Sequence, residues 1–217
     1  MRKRVQLVKR HADVSVREFR RAWVQTHATE IMQQPSIRRY VLSLPLIRGY
    51  QKQDLPFDAV EEIWLTDDTP ERDLSGSLPD LLDQERTVAA DVEVHVMKRG
   101  SLTDDPVKVI ELVIRNPRLS SAEFQDHWLG VHGPLAIRIP SVDRYEQNHV
   151  LKIEALGGFA SVDGFAMLWS ASTSAMRDGA QTREYAEATA DEAILNAPGP
   201  LPIVLAREVL RYRADEA

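Results

Sequence analysis

Cysteine is absent from this 217-residue chain. Without thiols there is no disulfide framework, no zinc–thiolate or iron–sulfur site and no cysteine nucleophile. Long apolar runs are missing as well, and none approaches the roughly 20 residues that a membrane span needs. After MRKR only VQLV precedes the next charge, too short for the apolar core of a signal peptide. No membrane partner is expected, and a cytoplasmic location is. Excess positive charge is also lacking, because 27 Lys and Arg face 33 Asp and Glu, for a net charge of −6. Phosphate backbones bind to basic surfaces, so nucleic acid is not an expected partner. The basic start at Arg2, Lys3 and Arg4, and the cluster Arg17, Arg20 and Arg21, read as solvated charge. There is no glycine-rich phosphate loop, no GxSxG elbow and no dinucleotide fingerprint. HExxH and facial-triad spacings are missing too, so neither a metal nor another cofactor is expected. With 43% hydrophobic and 28% charged residues the chain reads as globular, and its length suits one large domain or two small ones.

What is present is a duplication. A shift of about 105 residues lays one half on the other without a gap. Leu7, Val8 and Arg10 meet Leu112, Val113 and Arg115. Ser15, Glu18, Phe19, Trp23 and His27 meet Ser120, Glu123, Phe124, Trp128 and His132. Pro35, Ser36, Arg39 and Tyr40 meet Pro140, Ser141, Arg144 and Tyr145, and Asp58 and Trp64 meet Asp163 and Trp169. Tryptophan is rare, yet all four of the chain pair in this way. The join is GSLTDDP, residues 100–106, which has the chemistry of a linker. The expected domains are therefore 1–100 and 107–217.

Each half starts with a β-branched, aliphatic strand, residues 5–10 and 107–115. A turn leads to Ser15-x-x-Glu18 or Ser120-x-x-Glu123, spaced as capping boxes that start a helix. Phe19, Trp23 and His27, and likewise Phe124, Trp128 and His132, recur every four residues and form one stripe that should face a sheet. Gly133-Pro134 is expected to interrupt the second of these helices. Two strands follow in each half, at 37–46 and 57–65 and at 142–151 and 162–170, with LGGF as a turn in the second. A second helix fits 78–90 and, longer, 173–195, and closing strands fit 92–98 and 204–212. The order βαββαβ, twice, predicts an α+β fold of two tandem ferredoxin-like units whose sheets cover one another as a barrel.

The strings EFQDHWLGVHGPLA and RYEQNHV resemble the EthD family of the dimeric α+β barrel superfamily. The likeness covers the second half, about 107–213, and more weakly the first, through EFRRAWVQTHA and RRY. The resemblance implies a barrel around a mostly apolar cavity and a small hydrophobic or aromatic substrate. It further implies a place in a catabolic or polyketide-like pathway, and a barrel able to form a homodimer through its outer edges. Family members and cousins include cofactor-free decarboxylases, cyclases, isomerases and monooxygenases, and some haem proteins; fold does not choose among them.

The halves differ at polar positions. His127, Gly133 and Pro134 stand where the first half has Ala22, Ala28 and Thr29. Gln147, Asn148 and His149 stand where it has Leu42, Ser43 and Leu44. One competent pocket is therefore expected in the second half, with the first as an apolar wall. His132, in a last helical turn, either bonds free carbonyls or acts as an acid or base near neutral pH. His149 and Tyr145 are the candidate counterparts. On a strand Tyr145, Gln147 and His149 point one way and Glu146, Asn148 and Val150 the other. The first set is the expected cavity lining. Gln147 or Asn148 would polarise a substrate oxygen, and Trp128 and Trp169 are core residues or substrate platforms. His127 is expected in a structural bond. Asp58 and Asp163 are expected to close turns or pair with Arg39 and Arg144. The leading expectation is a cofactor-independent enzyme of lyase or isomerase type moving protons on a hydrophobic carbonyl or phenolic compound. The alternatives are an oxidoreductase, cofactor-free or haem-dependent, and a binder without catalysis.

Overall fold

Alternating apolar and polar residues in RKRVQLV form the first strand, β1 (Arg2–Val8). The computed structural model describes residues 1–66 and 78–214. Helix α1 (Val16–Ala22) starts at Ser15, whose hydroxyl accepts from the Glu18 amide at 3.1 Å. A π-helical turn, Trp23–His27, leads into α2 (Ala28–Met32). Strands β2 (Ile37–Pro45), β3 (Ala59–Leu65) and β4 (Val88–Arg99) complete the first half.

The second half repeats the plan. It runs through β5 (Val107–Val113), α3 (Ser121–His127), a π-helical turn at Trp128–His132 and α4 (Gly133–Ala136). It continues with β6 (Arg144–Leu156), β7 (Gly164–Ser170), α5 (Thr173–Gly179), α6 (Arg183–Leu195) and β8 (Ile203–Arg213). The Ser120–Glu123 capping box is complete. The fold is α+β, and the eight strands hydrogen-bond as a closed antiparallel barrel in the order β1-β3-β2-β8-β5-β7-β6-β4. Among the described residues no helix is long and apolar enough to cross a membrane.

Three expectations about elements are corrected. No α-helix forms over 78–90. Short 3-10 turns at Pro79–Leu81 and Gln84–Arg86 precede β4, because the alternation of VAADVEV suits a sheet better than a helix. The expected helix at 173–195 divides into α5 and α6, since Thr182 caps a new helix by accepting from the Tyr185 amide. Gly133-Pro134 does not end the helix. The chain passes through the π turn and continues as α4, and the same turn occurs in the first half at Ala28-Thr29. The change of helical register therefore belongs to the shared WxxxH stretch and not to the proline. In each copy the amide that follows the turn donates to the tryptophan carbonyl, Ala28 to Trp23 and Gly133 to Trp128.

Two compact units are resolved by packing. One comprises Met1–Glu93 with Leu151–Ala160 and Glu208–Ala217, and the other Val94–Val150 with Ser161–Arg207. In the first, Phe19, Trp23 and Ile31 pack on Tyr40, Leu42 and Leu44 of β2 and on Ala59 and Ile63 of β3. In the second, Phe124, Trp128 and Ala136 pack on Tyr145 and Ala166. Each large apolar side chain buried in this way contributes about 1.5–3 kcal/mol. The paired aspartates brace the turns, but with other arginines than expected. Asp58 accepts from the Arg10 amide and Asp163 from the Arg115 amide. Arg39 and Arg144 lie instead over the rings of Trp64 and Trp169, at 4.0 and 4.8 Å. Gly157, at φ 57°, and Gly158, at φ 78°, form the LGGF turn, where side-chain-bearing residues would be strained.

Candidate active site

Strand alternation puts Tyr145, Gln147 and His149 on the face of the sheet that the helices cover. Tyr145 accepts from Trp128 Nε1 at 3.1 Å. Gln147 Nε2 donates to the Trp128 carbonyl at 2.7 Å. The His149 ring stacks on Trp128 at 4.5 Å and 17°. These three side chains therefore point into the layer between sheet and helices, which corrects the expectation that they line a cavity enclosed by facing sheets. The cause is Trp128, which draws all three under the helix. Two small residues make room, Gly164 for the Trp128 indole and Gly133 for the Gln147 amide. A Cβ on Gly164 would lie 2.3 Å from the indole, and one on Gly133 would lie 2.8 Å from Gln147 Nε2.

Asn148 and Trp169 lie on the opposite face and are not part of this group. Asn148 is fully buried and donates to the Phe165 carbonyl at 3.1 Å. Trp169 packs under Lys108 and Arg144.

Protonation follows from these partners. The Gln147 amide nitrogen is spent on Trp128, so its oxygen accepts from His149 Nε2 at 2.9 Å. The neutral ring then carries its lone pair on Nδ1. Burial, helped by His95 edge-on at 4.5 Å, pushes His149 down to about 4. His149 is therefore a neutral imidazole at neutral pH. Burial also raises the Tyr145 phenol, which keeps its proton.

His132 is held separately. Its Nδ1 bonds Asp191 Oδ2 at 3.1 Å, while His127 Nε2 bonds Asp191 Oδ1 at 2.7 Å. A carboxylate only accepts, so both nitrogens donate, and neutral His132 presents the Nε2 lone pair. Burial lowers the His132 pKa despite the opposing effect of Asp191. Asp191 thus fixes one tautomer and the ring orientation, as the aspartate of a hydrolase triad does. The free carbonyls of the last turn are not its partners, and His127 makes the side-chain bond expected of it.

Sequence reasoning missed Asp191, Glu192, His95 and Glu111. In the sheet register Glu111 stands opposite Ala166, which stands opposite Gln147. Burial and the nearby Glu192 carboxylate raise Glu111 to about 7. A lone glutamate on the helix-covered alternation Val109, Glu111, Val113 was the available signal. Asp191 gave none, since it lies 59 residues from His132. No metal-holding group of three or more His, Cys, Asp or Glu occurs among the described residues.

The first half is not merely an apolar wall, and that expectation is corrected by Glu61. Its side chain is fully buried on the helix-covered face. Glu61 Oε1 accepts from Trp23 Nε1 at 3.2 Å and from the Tyr40 hydroxyl, and bonds His27 Nε2 at 2.9 Å. Trp23 stacks on His27 at 3.8 Å. Glu61 Oε2 and His27 Nδ1 are buried without a hydrogen-bond partner.

Comparison with known proteins places the EthD domain on residues 116–198. No curated protein matches the sequence. The solved structure of an anthrone oxidase-like protein superposes with a TM-score of 0.70, at 11% identity over 98% of this chain and 93% of that one. A chlorite dismutase variant from Candidatus Nitrospira defluvii gives 0.52, at 11% identity over 96% and 91%. An EthD family protein from Bacillus halodurans gives 0.39, at 16% identity over 46% of this chain and 95% of that one. At such identities the likeness to solved structures is one of fold.

Proposed function

From the EthD domain over residues 116–198, we propose that the second half is a cofactor-independent enzyme that moves protons on a small hydrophobic carbonyl or phenolic compound. The observation that carries this reading is His132, oriented through Nδ1 by Asp191 and left with a basic Nε2. Nε2 takes a proton from the carbon beside a substrate carbonyl. The enolate oxygen that develops is met by the Tyr145 hydroxyl, which burial keeps protonated. The proton held on His132 is then returned to another carbon, which completes an isomerisation, or to a leaving hydroxyl, which departs as water; in a β-keto acid the bond to the carboxylate breaks instead, CO2 leaves, and the enolate so formed takes up a proton. His149 acts as a neutral partner that holds Gln147 in place and packs Trp128 as an apolar wall. General acid–base catalysis of this kind contributes about 10²–10⁴ in rate.

The test is turnover of a panel of aromatic β-keto acids and phenolic ketones. His132→Ala is expected to lower kcat by about 10²–10⁴. If His132→Ala and His149→Ala both leave turnover untouched, the proposal is lost. Tight binding without turnover across the panel would instead identify a binder.

A second reading is favoured by the anthrone oxidase-like structure, which matches along nearly the whole chain. Oxidation of an electron-rich phenolic ketone also begins by removing a proton, and the same His132 would do it. Oxygen uptake with substrate, by colourless protein, separates this reading from the first; a Soret band would indicate the haem-dependent form. The two halves, 1–100 and 107–217, are proposed as ferredoxin-like units in tandem, and the whole chain as a homodimer. Light scattering of the purified protein checks the latter.

A further inference from the structure

The two halves use one set of donors differently. In the first, Trp23 Nε1, His27 Nε2 and the Tyr40 hydroxyl converge on one oxygen of Glu61. In the second, the same three residue types recur as Trp128, His132 and Tyr145, and both copies carry the π turn that sets the tryptophan and the histidine. The residue that aligns with Glu61 is Ala166, shorter by a methylene and a carboxylate. The shared acceptor is accordingly missing. Trp128 donates instead to the Tyr145 oxygen. His132 is bonded through Nδ1, so Nε2, the nitrogen that corresponds to the one on Glu61, is unused. Polar groups flank the same row of the sheet. Gln6, Glu61 and Leu42 stand side by side in the first half, and Glu111, Ala166 and Gln147 in the second.

We infer that a substrate oxygen docks over Ala166, in the position that the Glu61 carboxylate fills in the first half. It is received there by the Tyr145 hydroxyl and by the lone pair of His132 Nε2, with Glu111 and Gln147 on either side. The first half carries a covalently attached imitation of the ligand. The proposal rests on the enzyme reading above and narrows it to a class. Glu111 stands directly beside Ala166 in the sheet and disfavours a permanent anion there. The oxygen is therefore that of a neutral phenol or enol on a flat apolar body, whose O–H can donate to His132 Nε2, not a carboxylate or phosphate.

Two substitutions test this in the full chain, with 1-naphthol as the probe, by calorimetry for binding and nuclear magnetic resonance for the Trp128 and His132 side chains. Ala166→Glu copies the first half. It is expected to fold, to move the Trp128 indole NH resonance, to raise the His132 titration midpoint and to weaken 1-naphthol binding tenfold or more. Ala166→Val fills the same place without a charge, and is expected to weaken binding similarly while leaving both resonances nearly unmoved. The inference is overturned if Ala166→Glu unfolds the protein or leaves the Trp128 and His132 signals in place, because the donors then do not converge there. It is equally overturned if 1-naphthol fails to bind the wild type, or binds both variants as tightly as the wild type. Failure of the enzyme reading looks different: 1-naphthol binds as inferred, but His132→Ala and His149→Ala leave turnover of the panel unchanged.

Discussion

The two halves bury the same tryptophan, tyrosine and histidine under the same π turn, and among the exchanges between them Glu61 for Ala166 removes the acceptor that these three share. Where the glutamate is present the tryptophan, tyrosine and histidine all bond to one of its oxygens, and His27 is pinned between Trp23 and Glu61. Where it is replaced by alanine, Trp128 moves onto His149, and His132 turns to a carboxylate on α6. Internal satisfaction makes a structural core. The same donors released from it make a site that can act on a ligand.

The comparison can be broken first at Glu61. Glu61→Ala leaves the donors of Trp23, His27 and Tyr40 buried and unpaired, and is expected to cost about 3–5 kcal/mol. Urea denaturation measures it. The aligned change Ala166→Gly should cost only about 1 kcal/mol by the same assay. Next is Gly164→Ala. Its methyl would collide with the Trp128 ring, so a loss of about 1–3 kcal/mol is expected, together with a change in the fluorescence of the stacked indole. Ala59→Gly, at the matching place in the first half, should be milder.

Smaller effects depend on pH. Glu111 has a folded pKa of about 7, raised above its ordinary value of 4.5. The folded state therefore binds the proton more tightly, and stability present below pH 4.5 is lost as pH rises through 7. Glu111→Gln should raise the melting temperature at pH 8 and change it little at pH 4.5. His149 shows the opposite dependence. Its pKa falls from 6.5 to about 4, so stability present above pH 6.5 is lost as pH falls toward 4. His149→Phe should flatten that part of a melting-temperature profile.

Much of this was legible in the chain. The capping serines and the apolar stripes announced α1 and α3, because local hydrogen bonds and helical stripes depend on near neighbours. His132, Tyr145 and Gln147 stood out because the first half lacks or reuses them. Glu61 escaped notice because it sits in AVEEIWL beside a second glutamate, and only strand alternation against a helix distinguishes the two. Asp191 and Glu111 were hidden for another reason. Each gains its meaning from residues on other elements, and no spacing along the chain encodes that meeting.

The sequence by itself determined the α+β class and the helix starts, since these follow from periodicity and from bonds between residues a few positions apart. Tertiary structure alone decided which face of β6 is covered, which carboxylate holds His132, and that Ala166 lies among donors which elsewhere bind Glu61. Those outcomes depend on burial, and burial is settled only when distant elements pack together and each polar group takes the partner that the packing brings within reach.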